Sequence, residues 1–212
     1  MKQSTCKSTL LLLFSGLFIT TRAQDIQLGA EGGLNVSGAH ATEPGVVFHG
    51  SPGIRFSVGG FADLALPDRR FSVRPKLLFS RESYSPVLFG DKTPVTISYI
   101  NIPIPLIYHS TLKDKKIFFG LGPYFGYALS GKYVSQGVTT KIAWGNDPAK
   151  DDGKRLDIGA DFLAGYQLNK EIALTAKFDW GIKDISAEPS FYKVHTLNLG
   201  LTASYLLFSR SK

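Results

Sequence analysis

Cysteine is nearly missing from this chain. Of its 212 residues only Cys6 is one, and it stands before, not after, the apolar run from Leu10 to Ile19. The scarcity removes disulfides as a source of stability, and the position removes a lipid anchor built on that thiol. Long hydrophobic runs are missing too. The stretch from Leu10 to Ile19 falls well short of the ~20 apolar residues that a spanning helix needs. With Lys2 and Lys7 before it and Thr21-Arg22-Ala23 after it, it reads as a cleaved secretory signal peptide. The expected division is a signal peptide over 1–23 and one mature domain over 24–212.

Concentrated charge of one sign is also absent. The formal charge is +7, and setting aside Lys2, Lys7 and Arg22 leaves +4 spread along the rest without a basic run of five or more. A nucleic-acid partner is therefore not expected. The four histidines are dispersed, and "NDPAKDDG" (146–153) lacks the spacing and distal glutamate of a calcium loop. No metal and no cofactor are expected. No G-x-S-x-G elbow occurs, so no catalytic residue is assigned. No stretch beyond residue 24 keeps a helical period over a length comparable with the chain's alternating segments.

What the chain does contain is alternation. Ile117, Phe119, Leu121, Pro123, Phe125, Tyr127 and Leu129 are bulky, and the residues between them include Gly120, Gly122, Gly126 and Ala128. That is period two, the signature of a strand, and it disposes of a phosphate-cradling loop, whose glycines have other spacing and sit before a helix. Similar alternation runs through 26–36, 54–63, 71–80, 99–109, 156–168, 172–183 and 196–205. Eight such segments, longer than the ordinary globular strand of ~5–6 residues, suit a tilted membrane strand of ~9–11.

The expected fold is all-β, an eight-stranded antiparallel up-and-down transmembrane barrel with short periplasmic turns and longer extracellular loops. Ala65–Arg69, Thr111–Lys115 and Asn169–Glu171 are the short turns, and Lys132–Lys154 is the longest loop. Bulky side chains face lipid, and a small, polar face fills a narrow lumen. Tyr108, Tyr166 and Tyr205 then fall at one interface and Tyr127 and Trp180 at the other, as amphipathic rings prefer. Closure of the first strand on the last is required, because no water satisfies a free sheet edge in hydrocarbon. Pro103 and Pro105 predict an irregularity in the fourth strand. Phe208, off the parity of Leu197 to Tyr205, predicts an end or bulge near Leu206.

On this reading the lumen holds Glu31, Arg55, Asp63, Arg74, Lys76, Asp157, Asp161, Lys177 and Asp179, a mixed set expected to neutralise itself in a hydrogen-bonded ion-pair network, since isolated buried charge is costly. Tyr133, Ile142 and Trp144 in the longest loop are candidates for partner binding. The expected surroundings are outer-membrane lipid and lipopolysaccharide, with envelope or secretion proteins meeting the extracellular loops of a monomeric barrel.

The segments "YINIPIPLIYH" (99–109), "GLGPYFGYALSGK" (120–132), "DIGADFLAGYQL" (157–168) and "LNLGLTASYLLF" (197–208) resemble the PorT-like outer-membrane β-barrel proteins of Bacteroidetes-type bacteria. The resemblance covers essentially the whole mature chain. It implies an outer-membrane location and, for some members, association with secretion of proteins or gliding adhesins. The chain departs from that pattern at Asn101 and His109, where members often carry an acid and a lysine, and at its close, where two leucines separate Tyr205 from Phe208. Two other classes stay open. One is an outer-membrane lipid-modifying enzyme of acyltransferase or lipase type, drawing on His40, Glu43, His49, Ser83 and Ser85 in the loops. The other is a soluble lipocalin-like ligand-binding barrel.

Overall fold

The structure is a computed structural model and describes residues 25–43, 46–49, 51–85, 87–88, 91–112, 115–135, 137–145, 147, 149–187 and 193–210. The signal-peptide expectation falls outside them. The strands are β1 (Ile26–Glu43), β2 (Val46–His49), β3 (Ser51–Ala65), β4 (Phe71–Val73), β5 (Lys76–Ser85), β6 (Val87–Leu88), β7 (Asp91–Lys92), β8 (Val95–Pro103), β9 (Leu106–Leu112), β10 (Lys115–Ser135), β11 (Val138–Lys141), β12 (Leu156–Gln167), β13 (Ile172–Gly181) and β14 (Lys193–Arg210). No described helix is long and apolar enough to cross a membrane.

Eight wall segments form one antiparallel ring: β1, β3, the pair β4/β5, the pair β8/β9, β10, β12, β13 and β14. Closure is made by β1 on β14, in register from Ile26↔Arg210 to Thr42↔Lys193. Each long strand thus has a partner on both sides, and the ring leaves no sheet edge in its middle. β2 and β11 extend two hairpins beyond the ring, on β1 and β10 respectively.

Two wall segments are broken, and the breaks face each other. β4 stops before Arg74-Pro75 and β8 stops before Ile104-Pro105. Proline has no donor for the ladder, so its neighbours and its carbonyls carry the pairing. Arg74 N donates to Pro105 O at 2.9 Å, Ile104 N to Pro123 O at 2.9 Å and Ala62 N to Pro75 O at 3.0 Å. The irregularity expected from Pro103 and Pro105 is therefore present, with Pro103 still paired to Tyr124. Pro75 makes a second break that alternation had concealed. The off-parity Phe208 is also explained. Leu28 pairs Phe208 while Gly29 pairs Leu206, so Leu207 is the extra residue of a bulge and the strand continues to Arg210.

The apolar face points out. Leu34 is 63% exposed, Leu121 56% and Leu201 71%, whereas Asp161 is 2% exposed. For a soluble barrel this would be inside out. Tyr108, Tyr166 and Tyr205 on the short-turn side, and Tyr127 and Trp180 on the long-loop side, are all exposed. The short-turn rim is held locally. Asn169 Oδ1 accepts from the amides of Glu171 and Ile172, each at 2.8 Å, and Tyr205 donates its hydroxyl to Glu171 Oε2 at 3.0 Å. In the turn Leu66–Arg70, the Arg70 guanidinium beside Asp68 holds that exposed carboxyl below its ordinary range.

Candidate functional site

Among the described residues the lumen gathers most of the buried polar chemistry, and it is layered. Near the short-turn rim, Ile107, Phe118, Leu163 and Ala173 form a buried apolar cluster. Arg74 lies with its guanidinium carbon 5.1 Å from the Phe118 ring centre and 5.2 Å from that of Phe61. Its Nε donates to Asp63 Oδ2 at 2.7 Å, and its Nη2 reaches the same oxygen. A buried guanidinium is thus stacked on its faces and paired at its edge, which is how such a charge survives desolvation.

Further along the axis, Lys76 Nζ donates to both carboxylate oxygens of Glu31, at 3.0 and 2.8 Å. Lys177 Nζ donates to Asp179 Oδ2 at 3.2 Å. Asp157 Oδ2 accepts from Thr196 at 2.6 Å and from Tyr124 at 3.2 Å. Asp161 lies directly across the ladder from Asp179, and its Oδ2 makes no hydrogen bond among the described residues.

Of the nine charges expected inside, eight are buried there. Arg55 is the departure. It is half-buried, and its Nη1 donates to the adjacent Ile54 carbonyl at 2.8 Å rather than to an acid. Its place is taken by Glu82, 5% exposed, whose Oε1 accepts from Ser80 Oγ at 3.3 Å. Reading the third segment as ending at Ser80 hid Glu82, because β5 runs on to Ser85. The expected near-neutral balance is accordingly revised: the buried acids Glu31, Asp63, Glu82, Asp157, Asp161 and Asp179 outnumber the bases Arg74, Lys76 and Lys177.

Toward the long-loop rim a second buried cluster, Ile97, Tyr99 and Ala128, closes the axis. Ile142 and Trp144 pack on it from the longest loop, with Tyr84 and Val95. Two of the three residues expected to meet a partner are therefore turned into the mouth. Tyr133, the third, is half-buried and sits in the ladder opposite Val95 and Thr140. The loop is tied to its neighbour across the opening: Lys154 N donates to Ile185 O at 2.8 Å, Lys154 Nζ stands 3.5 Å from Asp184, and Gly153 bridges both Trp144 and Ser186. In the described part of "NDPAKDDG" the aspartates bond the local backbone, with Asp151 Oδ2 accepting from Asp147 N at 2.9 Å. No group able to hold a metal ion occurs among the described residues.

Of the loop serines and histidines, Ser83 Oγ is committed to the Val95 carbonyl at 2.8 Å, and His40 and His49 are backbone partners between β1 and β2. A different serine–histidine contact lies at the opposite rim. Ser72 Oγ and His109 Nε2 are 2.9 Å apart, beside a pocket lined by Asp25, Gln27, Asp63, Ala65, Arg69, Ser72 and His109. Both carboxylates of that lining are engaged, Asp63 by Arg74 and Asp25 by Arg69 at 3.7 Å.

A family model described as "Outer membrane protein beta-barrel domain" matches residues 22–187. No curated protein matches the sequence at a significant level. Among solved structures, Neisserial surface protein A is similar with a TM-score of 0.49 and 13% identity, over 83% of this chain and 96% of that one. Ail, the attachment invasion locus protein of Yersinia pestis, in complex with the heparin analogue sucrose octasulfate, gives 0.46 and 12%, over 87% and 99%. The fold assignment stands on ring closure, outward apolar faces and the family match.

Proposed function

Since this chain belongs to the outer membrane protein β-barrel domain family, we propose that it is an envelope barrel whose work is done by its outer surface and loops, as a structural or interaction protein. The family places it in the outer membrane of a bacterium. The short-turn rim is then periplasmic and the long loops extracellular. One observation carries the reading: among the described residues, buried side chains occupy the lumen at successive levels, as the Phe118 cluster, the ion pairs, the Tyr99 cluster and the inward Trp144. An eight-stranded ring is only wide enough for side chains, so conduction is not its task.

The finer reading, an accessory of protein secretion or adhesion in the PorT-like manner, rests on the sequence resemblance and on the length of the extracellular loops. Its partners would be outer-membrane lipid, lipopolysaccharide and envelope or secretion proteins. The same reading makes it a monomer and not an enzyme, because the serine–histidine contact found among the described residues lacks a free carboxylate to orient the imidazole. Two measurements test the proposal. Planar-bilayer recording of the purified barrel should show no wide open pore. A strain deleted for the protein should lose surface export or adhesion while its lipid A and phospholipid profiles stay unchanged. Large steady conductance, or an altered acyl pattern, would replace this reading with a channel or an enzyme.

A further inference from the structure

One bulge changes what the outer wall offers to its surroundings. Between β8 and β10 the register slips: Tyr99 pairs Ala128, but Ser98 pairs Ser130, leaving Leu129 as the extra residue. Arg155 holds the slip in place, its Nη1 donating to the carbonyls of Ala128 at 2.9 Å and Leu129 at 3.3 Å. Beyond the bulge the parity is inverted. Gly131 faces inward, with Ile142 and Trp144 packed where a β-carbon would be, so Ser130 and Lys132 turn outward and are exposed.

The ladders then set out a surface. Arg81 pairs Ser98, which pairs Ser130. One step further from the membrane centre, Thr96 pairs Lys132, which pairs Lys141. Arg81, Lys132 and Lys141 are exposed, and none forms an ion pair among the described residues. No acid stands in either row. Two lysines directly opposite each other repel, an arrangement that favours binding of an anion. Directly below lies an apolar row, Phe79 paired to Ile100 and Ile100 to Tyr127. Two residues of strand separate it from Arg81, ~7 Å of rise. Cations and hydroxyls therefore begin where the lipid-facing wall ends, on its extracellular side.

We propose that Arg81, Lys132 and Lys141, with the hydroxyls of Thr96, Ser98 and Ser130, form a docking face for the phosphorylated headgroup of an outer-leaflet glycolipid. A guanidinium fork matches phosphate oxygens bidentately, the ammonium groups add point charge, and the hydroxyls suit sugar and phosphate oxygens. The apolar row beneath receives the acyl chains, which is why the occupant is a lipid and not free phosphate. The proposal deepens the functional reading and rests on its orientation of the barrel.

The test uses the full mature barrel in neutral-lipid nanodiscs, with bisphosphorylated lipid A, fully dephosphorylated lipid A and inorganic phosphate as probes. Binding is read by native mass spectrometry and by the midpoint of heat-induced mobility change. Wild type should retain bisphosphorylated lipid A and gain heat resistance from it, and R81A/K132A/K141A should bind it roughly one to two orders of magnitude more weakly. R81K/K132R/K141R should bind it like wild type, and K116A/K170A, at the opposite rim, should be unaffected. Should the triple variant not fold, K141A alone, beyond the ring, should still show weakened binding. Equal binding by wild type and R81A/K132A/K141A, equal binding of phosphorylated and dephosphorylated lipid A, or equal protection by inorganic phosphate would each overturn it. Wild-type mobility is itself the control: a protein that is not heat-modifiable undermines the barrel reading, whereas a heat-modifiable one indifferent to lipid A undermines only this proposal.

Discussion

Lys76 Nζ sits 2.8 and 3.0 Å from the two carboxylate oxygens of Glu31, and both side chains are nearly sealed from solvent. The partners lie on β5 and β1, two strands apart. Between them on β3, opposite Glu31, stands Gly59, which has no side chain to block the lysine's path. Removing one partner strands the other charge in a medium that cannot solvate it, whereas removing both does not. Lys76→Met should therefore lower unfolding stability by about 3–5 kcal/mol, and Lys76→Met with Glu31→Leu should recover most of that. Urea titration of the refolded barrel in lipid vesicles, read by tryptophan fluorescence, measures both.

Asp161 and Asp179 make the opposite case. They are register partners, so two carboxylates point into the lumen side by side, and only Asp179 has a lysine hydrogen-bonded to it. Like charges opposite each other in a ladder destabilise by roughly 0.2–1 kcal/mol. Asp161→Asn should thus leave stability unchanged or raise it within that range. Asp179→Asn should lower it by weakening the pairing of Lys177. The same titration distinguishes the two variants, and a large loss for Asp161→Asn would show that its charge is needed.

Gly165 faces the ring of Phe118. A β-carbon at 165 would stand 2.0 Å from Phe118 Cζ, far inside van der Waals contact. Gly165→Ala should cost about 1–3 kcal/mol by overpacking, and Phe118→Ala in the same chain should restore room for the methyl. The expected signature is non-additivity in a double-mutant cycle. Additive losses would mean that ring and glycine do not meet.

The inward position of Trp144 makes a prediction about the mouth. Trp144→Ala with Ile142→Ala removes the loop's apolar contacts with Ile97, Tyr99 and Ala128. It should leave the heat-modifiable ring intact while exposing the loop between β11 and β12 to added protease. Because the Phe118 cluster still fills the other end, conductance should not rise. A large pore in that variant would make the loop, rather than the filled lumen, the barrier.

These residues also show what the sequence made legible. Side-chain size alternating at period two was sufficient for strand number, ring architecture and the facing of Leu121 or Leu201, because that pattern is imposed locally by the pleat. The bulge at Leu207 was visible for the same reason, as a parity error at Phe208. Large residues that belong inside were not. Phe118, Tyr99, Leu78 and Ile107 are buried although their bulk argues for the lipid face. What admits them is space on neighbouring strands, such as Gly165, and only the ladder register reveals it. The ion pairs were hidden likewise: composition offered the acids and bases, but the match of Glu31 with Lys76 depends on strand order and shear. Arg55 and Glu82 exchanged roles because strand ends are marked weakly where a hairpin continues past the membrane.

The most direct test uses the near absence of cysteine. With Cys6 replaced by serine, single cysteines at Leu199, Leu201, Asn198 and Thr202 on β14 can be spin-labelled in the bilayer-reconstituted barrel, and their collision rates with oxygen and with a water-soluble nickel complex compared. Labels at 199 and 201 should collide readily with oxygen, as lipid-facing sites do, and labels at 198 and 202 should be shielded from it. The reverse order, with 198 and 202 in lipid and 199 and 201 shielded, would contradict the account at its root.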